Sequence, residues 1–119
     1  GPYVQYTHAR LCSILRKYGK AVTTRIDYGL LKEDETTVLL KSLEQFPSVI
    51  ARAAECYEPS LVSNHLIDVC SNLNRFYNAH RVLADDEELA RARILLVDAT
   101  RQVLKNGLKI LGINAPGQM

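Results

Sequence analysis

The 119-residue chain reads as an all-α protein, a single irregular bundle of about five helices. Three observations predict it. Apolar residues recur at the three-and-four spacing of a helix face docking on a core, most cleanly at Val62, Leu66, Val69, Leu73 and Phe76. Strand-like alternation and Asn-Gly turns between strand-like runs are absent; Asn106-Gly107 falls inside a helical pattern, where a glycine marks close packing or a kink. Glycines and prolines at Gly19, Pro47, Pro59 and Gly112 divide the pattern into segments, with no internal repeat to suggest a solenoid.

The first helix is predicted from Tyr3 to Lys17 or Tyr18, with Gly19 placed to stop it. Its inward face is Val4, Thr7, Leu11, Ile14, Leu15 and Tyr18. Lys20 to Lys32, with Gly29 inside, reads as a loop. Asp34 is expected to cap a second helix through Val38, Leu39, Leu43 and Phe46. Pro47 interrupts that helix and opens a short third one carrying Val49, Ile50, Ala53, Ala54 and Tyr57. Pro59-Ser60 starts the fourth. Asp85, Asp86, Glu87 and Glu88 complement the positive end of a fifth, whose expected stripe is Leu89, Ala92, Leu96, Ala99, Val103 and Ile110 before Gly112 ends it.

With 47% hydrophobic residues, a chain of this length supports one continuous core and hence one domain over residues 1–119. No apolar run approaches the ~18–20 residues of a membrane span, and no export signal is evident, so no membrane partner and a cytoplasmic setting are expected, an organellar one remaining open. Cys12, Cys56 and Cys70 are odd in number and lack Cys-x-x-Cys spacing; buried, reduced thiols are the expectation. His8, His65 and His80 are scattered. His65 and Asp68, one turn apart, read better as a polar pair on a helix flank than as metal ligands, and no metal is expected. There is no phosphate-cradling glycine loop or nucleophile elbow, so the chain alone has no candidate catalytic site.

The segment Tyr3-Val4-Gln5-Tyr6-Thr7-His8-Ala9-Arg10 carries the most specific chemistry. At ~100° per residue, Tyr3, Tyr6 and Arg10 point within about 60° of one another, opposite the inward face. Two aromatic faces followed by a guanidinium suit flat rings and phosphates, as in exposed nucleotides. Before Leu31, Arg10, Arg16, Lys17, Lys20 and Arg25 oppose only Asp27, so positive charge and stripe coincide despite a net charge of +2. The residues alone leave a second explanation open, in which the tyrosines cover a neighbouring hydrophobic surface while Arg10 stays wet. A helical protein–protein interaction module is the alternative function.

The same opening, with Gly1-Pro2 before it, resembles the start of the carboxy-terminal anticodon-binding domain of arginyl-tRNA synthetases. Phe76-Tyr77-Asn78 follows in the family's order. Asp98-Ala99-Thr100-Arg101 is similar to the family's Asp-Ala-Leu-Arg signature, with Thr100 in place of Leu, and Val103 to Ile113, Ala115-Pro116 and Met119 resemble its closing helix and tail. Gly1-Pro2 is either native, as in some members, or the remnant of a cleaved tag. The resemblance implies a fragment of a class I arginine–tRNA ligase whose catalytic domain lies outside it. The parent would use ATP and magnesium to arginylate arginine tRNA, and this chain, itself without a cofactor and expected to be monomeric, would hold the anticodon loop. It also implies the site: Tyr3 and Tyr6 stacking on bases, Arg10 on the central cytosine of the anticodon, Tyr77 at a helix end nearby, Arg81 on phosphate and Met119 close to the same loop. Asp98 and Arg101 are expected to be structural.

Overall fold

The computed structural model describes residues 2–113, 115 and 117, and among them contains five α-helices and no strand. They are α1 (Pro2–Tyr18), α2 (Asp34–Glu44), α3 (Phe46–Cys56), α4 (Ser60–Ala79) and α5 (Glu87–Ile110), with a 3₁₀ turn at Tyr28–Leu30. The backbone hydrogen bonds run on across Gln45, whose N–H reaches the Lys41 carbonyl while its own carbonyl accepts from Val49. α2 and α3 are therefore nearly one kinked rod. Counted that way the bundle has four members.

The organising element is α4, which packs against all four other helices. Its predicted seam is buried in full: Val62, Leu66, Val69, Leu73 and Phe76 are each at most 2% exposed. Such burial is worth about 1.5–3 kcal/mol per side chain before the entropy of ordering is counted. Gly107 of α5 lies against the middle of this seam. A Cβ there would stand 2.5 Å from a Leu66 methyl, so the glycine is required by close helix packing.

The helix ends follow local chemistry. Gly19, at a φ of 68°, takes the left-handed turn that closes α1, and its N–H bonds the Leu15 carbonyl. At the end of α5, Gly112 donates to the Lys109 carbonyl and Ile113 to that of Leu108, capping the last turn. Asp86 caps the start of α5 by accepting from the N–H groups of Glu88 and Leu89.

Several expectations are corrected. Asp34 is the first residue of α2 rather than its cap; Glu33 holds the cap position and makes no side-chain cap bond, its carboxylate being bonded to Arg93 and to the Lys32 N–H. Tyr57 does not extend the buried face of α3. The helix stops at Cys56, Tyr57 turns left-handed at a φ of 55°, and its ring is 91% exposed. Ala54 is exposed as well. Val38 is turned outward because α2 buries Thr36, Leu39 and Ser42 instead. Ile110 is exposed too: α5 is gripped by α1, α2 and α4, and its buried side at the end runs through Thr100, Leu104, Gly107 and Leu108.

Only Cys70 among the thiols is buried; Cys12 is half-buried and Cys56 exposed, and all three are free. Burial pushes the Cys70 thiol up to about 11, against a partial lowering by its hydrogen bond with Thr7 of α1. His65 is not on a flank. Its Nε2 lies 2.8 Å from the Ser42 carbonyl and its ring stacks on Phe46, so it ties α4 to both halves of the kinked rod, while Asp68 stays exposed.

Candidate nucleic-acid interface

The stripe predicted on α1 lies on the molecular surface. Tyr3 is 44% and Tyr6 56% exposed, and Arg10 is exposed between their helix and the last turn of α4. Tyr77, at that end of α4, is 36% exposed, and the Arg10 guanidinium sits 4.2 Å from its ring centroid, a cation–π contact. Three predicted residues, Tyr3, Arg10 and Tyr77, thus converge although Tyr77 is far from the other two in sequence.

What brings them together is a residue that the sequence reading missed. Asn74 of α4 donates from Nδ2 to the Tyr3 hydroxyl at 2.9 Å and accepts at Oδ1 from Arg10 Nη1 at 3.4 Å. Its position one turn before Tyr77 puts the two on one face of α4. That much is legible; which helix they meet is not.

Beyond Tyr77 the face continues into an open groove of about 260 Å³ lined by Ile14, Lys17, Tyr77, Arg81, Val82 and Leu83, together with His80. Arg81, a predicted site residue, is exposed here. Lys17 continues the Tyr3–Tyr6–Arg10 stripe two turns further along α1, and helical periodicity alone would have found it. Other cations of the basic segment are engaged elsewhere. Arg16 donates to the Gly117 carbonyl at 3.0 Å, and Lys20 pairs with Glu87 at 3.5 Å. Arg25 lines a separate groove with Asp27 and Glu88 where the loop meets α5. Among the described residues, the cations of this face not paired with a carboxylate or drawn to another surface are therefore Arg10, Lys17 and Arg81. The predicted Met119 lies outside the described residues.

A partly buried polar cluster backs the groove, with Arg93 Nε buried and without a hydrogen-bond partner among the described residues. His80 lies 2.7 Å from Glu35 and 3.7 Å from Glu33, and Arg93, only 10% exposed in its side chain, pairs with Glu33 at 3.0 Å and donates to the Arg81 carbonyl at 2.7 Å. Burial works to raise the Glu33 pKa, but the backbone N–H bonds, the Arg93 hydrogen bond and the His80 charge together outweigh it and hold the carboxyl below its ordinary value. The cluster fixes the backbone at Arg81.

Within α5, Arg101 binds Asp98 at 3.0 Å one turn away, and Gln102 donates to the other Asp98 oxygen. Thr100, in the place of the family's usual Leu, is fully buried with its hydroxyl donating to the Leu96 carbonyl. Among the described residues, no group of three or more His, Cys, Asp or Glu side chains is placed to hold a metal ion, and no helix is long and apolar enough to cross a membrane.

Comparison with known proteins decides the family: residues 4–119 match the DALR anticodon binding domain. The chain belongs to that family. As a DALR domain it is similar along its whole length to the arginine–tRNA ligases of Alkaliphilus metalliredigens, at 47% identity, and Clostridioides difficile, at 43%. Its fold superposes on the Thermus thermophilus arginyl-tRNA synthetase with a TM-score of 0.89 and 36% identity, over all of this chain. The DALR domain spans 21% of the length of each of these relatives. Asp98 and Arg101, two residues of the signature that names the family, are spent on each other inside α5. The exposed chemistry is elsewhere, where α1 meets the end of α4.

Proposed function

We propose that this chain is the part of an arginine–tRNA ligase that binds the anticodon loop, positioning arginine tRNA for ATP- and magnesium-dependent arginylation by the parent's catalytic domain in the cytoplasm. Tyr3 and Tyr6 stack on splayed bases, Arg10 reads the edge of the central cytosine, Tyr77 supports Arg10, and Lys17 and Arg81 take the loop's phosphates. Met119 completes the site by family resemblance. The observation that carries the reading is the Arg10 guanidinium itself, set over the Tyr77 ring with one donor bonded to Asn74 and with exposed tyrosines on the same helix face. Five N–H donors on a planar fork leave enough free to bond a base edge.

A residue-resolved NMR titration with an arginine-tRNA anticodon stem-loop, beside one whose central anticodon base is changed, tests this. Shifts centred on Tyr3, Tyr6, Arg10 and Tyr77, larger for the first loop and weakening steeply with salt, are the expected result. Shifts of equal size on both loops would reduce the face to sequence-independent binding. A salt-insensitive partner captured on the same face would instead support a protein-interaction module.

A further inference from the structure

We infer that Asn74 is a positioning residue for base recognition, an amide that aims both Arg10 and Tyr3 without itself reading the RNA. The inference rests on the anticodon-loop reading above and adds to it a cause of selectivity. Arginine on an exposed helix face is a long, mobile side chain, and a mobile guanidinium bonds any phosphate or base edge within reach. Here the mobility is removed from two sides. The guanidinium carbon lies over the Tyr77 ring, 4.2 Å from its centroid, and Asn74 Oδ1 takes one Nη1 donor. The other N–H donors of the fork are left for a ligand.

The amide can serve both partners in one orientation only. With Oδ1 toward Arg10 it accepts from a donor; turned over, its own N–H₂ would confront the guanidinium N–H groups. The orientation that satisfies Arg10 points Nδ2 at the Tyr3 hydroxyl, 2.9 Å away. That hydroxyl therefore accepts from Asn74, and its proton is turned outward. Asn74 thereby presents a donor set, the free Arg10 edge beside the Tyr3 O–H, to whatever lies on the stripe. The chemical match is a base edge carrying adjacent acceptors, as the O2 and N3 of an unpaired cytosine are. A base edge that presents a donor to Arg10 is disfavoured, because the guanidinium has no acceptor and donors would face donors.

A double-mutant cycle on the 119-residue chain separates positioning from simple contact. Affinities for the two stem-loops described above are measured for the wild type, Asn74→Ala, Arg10→Ala and the double variant, each with Tyr3 and with Tyr3→Phe, and with thermal unfolding as a folding check. Loss of one hydrogen bond that orients a charged group corresponds to about a tenfold fall in affinity for the cognate loop. We expect that fall for Asn74→Ala, with a change of less than about threefold on the altered loop, and almost none when Arg10 is already Ala and Tyr3 already Phe. Equal losses on both loops, or a loss that persists when Arg10 is Ala and Tyr3 is Phe, would overturn the inference and make Asn74 a contact or packing residue. No loss at all would overturn it too.

A wild type that treats both loops alike sinks the anticodon reading instead, and the unbound chain then decides about Asn74 by itself. NMR of the Arg10 guanidinium should show restricted rotation and a ring-current shift from Tyr77 that Asn74→Ala abolishes. A guanidinium equally mobile in wild type and variant means that Asn74 positions nothing.

Discussion

Two polar clusters flank the last turn of α4, and they are built on opposite plans. On one side Glu33 pairs with Arg93 and His80 lies against Glu33 and Glu35, in a partly buried network that also takes the Arg81 carbonyl. On the other, Tyr3, Arg10, Asn74 and Tyr77 fix their geometry with a few contacts and leave donors and ring faces exposed to solvent. The difference teaches how to tell scaffold from interface without a ligand present. In the proposed reading the scaffold cluster turns its polar groups toward one another, Arg93 Nε excepted, whereas the recognition cluster is pinned on one side and leaves donors open on the other. Substitutions should therefore separate stability from RNA affinity along this line.

The largest expected effect is on the closed side. Arg93→Ala removes the partner of a partly exposed Glu33 and the donor to the Arg81 carbonyl, and should destabilise the fold by ~2 kcal/mol, below the range for a fully buried ion pair because Glu33 keeps solvent. Urea unfolding monitored by helicity measures this. Discrimination between cognate and altered stem-loops should survive wherever the variant remains folded. Loss of discrimination at full folding would show that the two clusters are one functional unit and break the comparison.

On the open side Arg10→Ala should do the reverse. It should change stability by no more than ~0.5 kcal/mol, as for an exposed side chain, yet cost ~1–3 kcal/mol of affinity for the cognate loop. Titration calorimetry on both loops, beside the unfolding curve, decides it. An equal loss on both loops would demote Arg10 to a phosphate contact.

How far the sequence reaches follows from the same contrast. Helical periodicity placed Tyr3, Tyr6 and Arg10 on one outward stripe and Val62 to Phe76 on one buried seam, because both are properties of a single helix. Asn74 was invisible, because its role depends on α1 and α4 meeting at the right register, and nothing local encodes that pairing. Glu33 was passed over for Asp34 as a cap for a similar reason, since the rival claim on its carboxylate comes from Arg93, on a distant helix. Ile110 and Val38 fooled the stripe-counting because an amphipathic pattern gives the direction of burial but not how many neighbours a helix will have. Gly107 sat at the boundary: a glycine within a helix announced close packing, while its partner Leu66 emerged only from the fold.

Acid should sharpen the contrast more gently than truncation does. The Glu33 carboxyl titrates below its ordinary value of 4.5 in the folded chain. The unfolded chain therefore takes up that proton first as pH falls. The stability contributed by this carboxylate is fully present above about 4.5 and is lost as pH drops through the folded-state value. Unfolding midpoints between neutral pH and pH ~3 should fall less steeply for Glu33→Gln than for the wild type. Parallel profiles would mean that other carboxylates govern the acid limb and that Glu33 is not the group through which the closed cluster senses protons.

The smallest effect is expected where the family signature would lead one to expect the largest. Asp98 pairs with Arg101 one turn on and accepts from Gln102, all within α5, so each partner is satisfied without any other helix and without any ligand. By the rule that closed clusters are scaffold, Asp98→Ala should cost only ~0.5–1 kcal/mol of stability, an intrahelical ion pair somewhat strengthened by partial burial, and should leave affinity for both stem-loops unchanged. A measured loss of cognate binding in a folded Asp98→Ala chain would put the signature into the interface. It would also show that being satisfied in the unbound chain is not enough to exclude a group from recognition, since a ligand could then exchange one internal bond for another.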